Sequence, residues 1–143
     1  MTQSVRFYQR RAKSLNPNIS ILELTAIHIK QKGLEEVLLL GTKFTMEDDF
    51  FKGFLLKKGI KVVVPSTQEM DEIQEIQTEL AAGKMEEDFK SYFKELSERY
   101  DFCDGLVLGC TELPLVFDFI ETKALKINPI ELQCSSAVDF ILS

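Results

Sequence analysis

A chain of 143 residues with 45% hydrophobic side chains is globular in composition and long enough for one core, burying roughly 68–70% of the surface its unfolded form would expose. The formal net charge of −6, with no basic stripe to offset it, argues against nucleic-acid binding, which depends on Lys and Arg neutralising phosphates. No apolar run approaches the roughly 20 residues of a membrane span.

Met1 to Lys13 carries Arg6, Arg10, Arg11 and Lys13 but neither the apolar run nor the small-residue cleavage site of a secretory signal, which predicts a cytoplasmic protein. Leu24, Ile27 and Leu34 then mark an early helix closed by Gly33. Short continuous apolar runs follow at Val37–Leu40, Val62–Val64 and Leu106–Leu108, with a weaker one at Leu125–Ile127. Continuous rather than alternating runs predict strands buried on both faces of a parallel sheet. Between them, Phe50, Phe51, Phe54 and Leu55 predict a short helix that stops before Gly59, and Met70, Ile73, Ile76 and Leu80 a longer one ending near Gly83. Phe89, Tyr92, Phe93, Leu96 and Tyr100 fall at helical spacing and turn one aromatic stripe inward. Ile130, Cys134, Ala137, Val138 and Ile141 predict a last helix. Together these elements predict one α/β domain over 1–143. It would be a three-layer sandwich whose short, mainly parallel sheet is covered by helices on both faces. Residues 1–36 form its opening segment and helix, 37–121 its core lobe and 122–143 a closing strand and helix.

In open parallel sheets, ligands bind beyond the carboxyl ends of the strands. Three such ends carry hydroxyls or glycine: Gly41-Thr42-Lys43-Phe44-Thr45, Pro65-Ser66-Thr67 and Gly109-Cys110-Thr111-Glu112. All three suit an anionic carboxylate, although Ser66 and Thr67 are equally ordinary helix caps. At the third end a thiol gains from its position. Cys110 lies between a buried strand and a helix that begins near Glu112 or Leu113, with Pro114 in the first turn, and a helix N-terminus favours thiolate over thiol. An open, ionised Cys110 is therefore the expected base or nucleophile.

The other candidates read as structural. Cys103 precedes the third strand, Cys134 takes an apolar position on the last helix, and His28, the single histidine, lies within the first helix. The cysteine spacings match neither a metal site nor a disulfide scaffold, so no metal site is expected.

Two stretches carry a family resemblance. Val37–Glu47 (VLLLGTKFTME) and Gly105–Pro114 (GLVLGCTELP) resemble consecutive signatures in the second half of aspartate/glutamate racemases. The spacing of the two motifs, the Phe-rich helix after the first, Val64-Pro65 and Ala137-Val138 extend the resemblance from about Ile19 to the C-terminus. It implies a cofactor-independent racemase of acidic amino acids, in which two cysteines flank the substrate α-carbon and exchange its proton across opposite faces. Cys110 matches the second of these cysteines, Thr111 a neighbour that contacts substrate, and Gly41, Thr42 and Thr45 the loop that holds a substrate carboxylate; Glu112 completes the motif.

The first-lobe cysteine of the family has no counterpart, since Met1–Asn18 contain no cysteine. The resemblance therefore implies an opposing thiol from a second copy, from a complementary first-lobe chain or from a missing segment. Asn128 and Gln133 stand where the family often has an aspartate and a histidine, and Ser20 where it often has a histidine. Two other readings fit one thiol: a decarboxylase of the same superfamily that protonates a planar intermediate, and a non-catalytic module that binds a dicarboxylate or presents an interaction surface.

Overall fold

The computed structural model describes residues 20–142, with side chains through 135. The basic cluster of Arg6 to Lys13 and the side chains of Ala137, Val138 and Ile141 lie outside that description. The elements run α1 (Ile21–Gln31), β1 (Glu36–Leu40), α2 (Lys43–Glu47), α3 (Asp49–Lys57), β2 (Lys61–Val63), α4 (Thr67–Ala81), α5 (Glu87–Arg99), β3 (Gly105–Leu108), α6 (Leu113–Phe117), β4 (Leu125–Ile127) and α7 (Pro129–Leu142). Among the described residues no helix is long and apolar enough to cross a membrane.

The four strands form a parallel sheet in the order β2-β1-β3-β4. Because side chains alternate across a strand, the apolar run of β1 feeds two cores. Leu38 and Leu40 join Leu106 and Leu108 under α4, α5 and α6, while Val37 and Leu39 join Val107 and Ile127 under α1 and α3. This double coverage is the three-layer α/β arrangement expected from continuous apolar strands.

Local chemistry sets the ends of the helices. Ser20 caps α1 through the Glu23 N–H at 3.1 Å, and Asp48 caps α3 through the Phe50 N–H at 2.8 Å. Ser66 and Glu69 close a reciprocal capping box on α4, with each side chain accepting the other's backbone N–H. Gly33 and Gly83 follow their helices with φ of 72° and 90°, a left-handed conformation open to glycine at no steric cost.

The helix stripes differ from expectation in detail. In α5, Phe89, Phe93 and Leu96 are buried, with Tyr92 and Tyr100 half-buried at the edge, where their hydroxyls donate to Glu72 (2.8 Å) and Glu69 (2.6 Å) on α4. In α3 only Phe51 and Leu55 are buried, and Phe50 is 68% exposed because it lies on the outward side of a nine-residue helix. Cys134, expected on the apolar side of the last helix, is exposed instead.

Candidate active site

The site is built where β1 and β3 end side by side. Their register pairs Leu40 with Leu108, so the next residues, Gly41 and Gly109, leave the sheet together. The Gly109 N–H donates to the Leu40 carbonyl at 2.7 Å. A methyl group on Gly109 would sit 2.9 Å from that carbonyl oxygen, and one on Gly41 would sit 3.1 Å from Thr45 Cβ and Cγ2. Both motif glycines thus permit a close approach that a larger residue would block, and the approach joins the two loops into one corner.

Within the first loop the expected hydroxyls are present but engaged. Thr42 caps the short helix α2, which sequence periodicity did not reveal: its Oγ1 accepts the Thr45 N–H at 3.2 Å and lies 3.0 Å from Thr45 Oγ1. At the second strand end, Ser66 is consumed by its capping box, so the cap reading prevails there. At the third, Thr111 is exposed and donates to Glu112 Oε2 at 2.7 Å, which holds the Glu112 carboxylate beside the turn.

Cys110 occupies the expected corner, but its electrostatics differ from expectation. It is only 8% exposed and contributes to the apolar core beneath α6. Burial pushes its thiol pKa up; the backbone amides of Leu113 and Glu112 pull it down and the Glu112 carboxylate raises it again, leaving it above the ordinary value. Two physical reasons explain the reversal. Helix α6 has only five residues and little macrodipole to offer, and desolvation of a thiolate outweighs two amide dipoles. Cys110 therefore rests as a neutral thiol, a proton donor rather than a ready base.

Cys103 is more deeply buried, at 2% exposure, and its pKa is pushed up to about 11, by burial first and then by the negative charges of Glu36 and Asp104. Folding raises both pKa values, so the two neutral thiols favour the fold below the ordinary thiol range. That contribution is lost as pH rises through the raised values, to about 11 for Cys103. Alkylation of the native chain near neutral pH should consequently modify exposed Cys134 first, Cys110 much more slowly and Cys103 only on unfolding, as read by peptide mass spectrometry. Equal rates at Cys110 and Cys134 would contradict a shielded thiol at position 110.

His28 is half-buried on α1, where burial and then Lys32 lower its pKa, and it takes no part in the corner. Among the described residues no three His, Cys, Asp or Glu side chains group as a metal site would require. Two of the family departures have local roles. Ser20 is a helix cap, and Asn128 caps α7 by accepting the N–H groups of Ile130 (3.2 Å) and Glu131 (3.3 Å).

Sequence reasoning missed two glutamines on α4. Gln74 Oε1 accepts the Lys43 N–H at 2.8 Å, and Gln77 Nε2 donates to the Gly41 carbonyl. The buried stripe of α4 is Met70, Ile73, Gln77 and Leu80, with Ile76 half-buried, so a polar residue interrupts an otherwise apolar face at the level of the corner. That interruption was the available signal.

Comparison with known proteins agrees with the architecture. The chain is similar over 85% of its length to an aspartate racemase homologue from Pyrococcus horikoshii, at 35% identity and a TM-score of 0.76. It is similar over 86% to a Yersinia pestis protein described as a candidate Asp/Glu racemase, at 28% identity and a TM-score of 0.78. A Picrophilus torridus aspartate racemase matches 85% of the chain at 23% identity and a TM-score of 0.68, a likeness of fold alone. The chain spans about half of each relative, covering 56%, 55% and 52% of their lengths respectively. The family model for Asp/Glu/Hydantoin racemase matches residues 7–137, and this chain belongs to that family.

Proposed function

We propose that this chain is the cysteine-bearing half of a cofactor-independent aspartate/glutamate racemase-type enzyme, with Cys110 as one of two acid–base groups. The reading rests on one observation above the others: Gly109, the residue before Cys110, stands at the shared exit of β1 and β3 against the Gly41-Thr42-Thr45 loop. An opposing thiolate, from a second chain or from the segment its relatives carry, removes the α-proton of an acidic amino acid. The neutral Cys110 S–H then delivers a proton to the other face of the planar carbanion and is left as thiolate. The reverse direction exchanges the two roles. Thr42, Thr45, Thr111 and Glu112 border the corner from which the substrate would be held. A cytoplasmic location and assembly with another copy or a first-lobe chain belong to the same reading.

The enantiomers are equal in free energy, so both directions share one pH profile, and each needs one thiol and one thiolate. Activity should therefore fall as pH rises through the raised Cys110 value and both sulfurs ionise. The test is deuterium wash-in at the α-carbon of aspartate and glutamate, with the chain alone at high concentration and with candidate first-lobe chains. Cys110→Ser should reduce incorporation by about 10²–10⁴-fold, the usual worth of a positioned acid–base group. No incorporation under any of these conditions would remove the racemase reading. A neutral thiol also suits single-cysteine protonation after decarboxylation, and release of CO2 from malonate-type acids in the same assays would favour that chemistry.

A further inference from the structure

Gln77 presents a problem that packing alone does not solve. Its side chain is buried at 3% exposure on the apolar stripe of α4, yet only its amide nitrogen has a partner. Among the described residues its Oε1 is a buried acceptor with none. Leaving an acceptor unpaired in the interior costs free energy, and a leucine of similar volume would avoid the cost. What glutamine offers and leucine cannot is the hydrogen bond to the Gly41 carbonyl.

That bond has a consequence at the other end of the same peptide. In a planar trans peptide the C=O and the following N–H point in opposite directions. Drawing the Gly41 carbonyl toward α4 therefore turns the Thr42 N–H away from α4, and this N–H has no acceptor among the described residues. Gln74 fixes the next peptide by accepting the Lys43 N–H at 2.8 Å, and Asp71 on the same helix pairs with the Lys43 ammonium at 2.5 Å. Side chains at 71, 74 and 77 thus grip both flanks of Thr42 from one helix.

We infer that Gln77, assisted by Gln74, is a positioning residue that presets the Gly41–Lys43 backbone so that the Thr42 N–H is presented to an anionic oxygen of the substrate. The inference rests on the racemase-type reading for its substrate, and on the hydrogen bonds themselves for its geometry. The clamp touches no reacting atom. It acts by sparing the loop a reorganisation when a carboxylate arrives.

The experiment uses the full chain with Gln77→Leu and Gln77→Glu, and L-aspartate as the probe. Gln77→Leu should leave the thermal midpoint near the parent's, because the orphaned Oε1 is gone while the Gly41 carbonyl loses its donor. It should also speed hydrogen exchange at the Lys43 amide at least tenfold and raise the half-saturating aspartate concentration at least tenfold. In Gln77→Glu both defects should be present at pH 8 and recede by pH 5, because only the protonated carboxyl can donate to the Gly41 carbonyl; the parent chain measured over the same range is the reference. Parent-like Lys43 exchange and aspartate response in Gln77→Leu overturn the inference, as does a Gln77→Glu variant that gains nothing in acid. If the parent itself does not respond to aspartate, the racemase-type reading fails and Lys43 exchange alone decides the clamp.

Discussion

Phe93→Ala should remove about 3–5 kcal/mol of stability, the range for deleting a fully buried aromatic side chain. Phe93 is 0% exposed and lies where α5 faces α6, with its ring 5.1 Å from Phe117 and 5.3 Å from Tyr92. Its neighbours belong to elements held by the sheet on one side and by α4 on the other, so they cannot collapse fully into the space left behind. The loss is a large share of the about 5–15 kcal/mol that holds a typical domain. Denaturant melts should show a lower midpoint at an unchanged slope. A loss below about 1 kcal/mol would mean that the layer beneath Cys110 is loosely packed.

Gly109→Ala should be costly for a different reason. Its new methyl would meet the Leu40 carbonyl oxygen at 2.9 Å, and a backbone atom within a sheet cannot step aside as a side chain can. Either β1 and β3 part at their ends or the turn carrying Cys110 rotates; overpacking of this kind typically costs about 1–3 kcal/mol. A displacement near 1 Å at a reacting group is worth about 10²-fold in rate, so any deuterium wash-in should fall further than stability does. Gly53→Ala is the matching control. A methyl there meets nothing nearer than Asp49 Cβ at 3.5 Å, and replacing a mid-helix glycine should stabilise α3 by about 0.5–1 kcal/mol. Melts of the two variants should shift in opposite directions, and equal shifts would undercut the close-approach account of the motif glycine.

The strands were legible because their chemistry is repetitive. Val37–Leu40 and Leu106–Leu108 are apolar without alternation, and a strand can afford that only where both of its faces are covered. The second strand was placed one residue late, at Val62–Val64 instead of Lys61–Val63, because its first residue is an exposed lysine at the sheet edge. The short helix α2 escaped notice, since five residues cannot display a 3.6-residue period. Exposure of Cys134 and Phe50 was missed because an apolar side chain at helical spacing carries no label for which face the fold will cover.

By itself, the order of residues determined the parallel α/β plan, the helix ends marked by Gly33, Ser66 and Gly83, and the two glycine-bearing turns. These follow from short-range preferences and from hydrophobic period, which do not depend on distant partners. Tertiary structure alone decided the rest. It set Gly41 against Gly109 through strands 68 residues apart in the register that pairs Leu40 with Leu108. It brought Gln74 and Gln77 under Thr42, and it lowered Cys110 into the core until desolvation outweighed the amides that face it. Hydrogen-bond partners and the local dielectric belong to the assembled neighbourhood of a residue, so the protonation of a thiol or the aim of a peptide N–H exists only once the layers have closed.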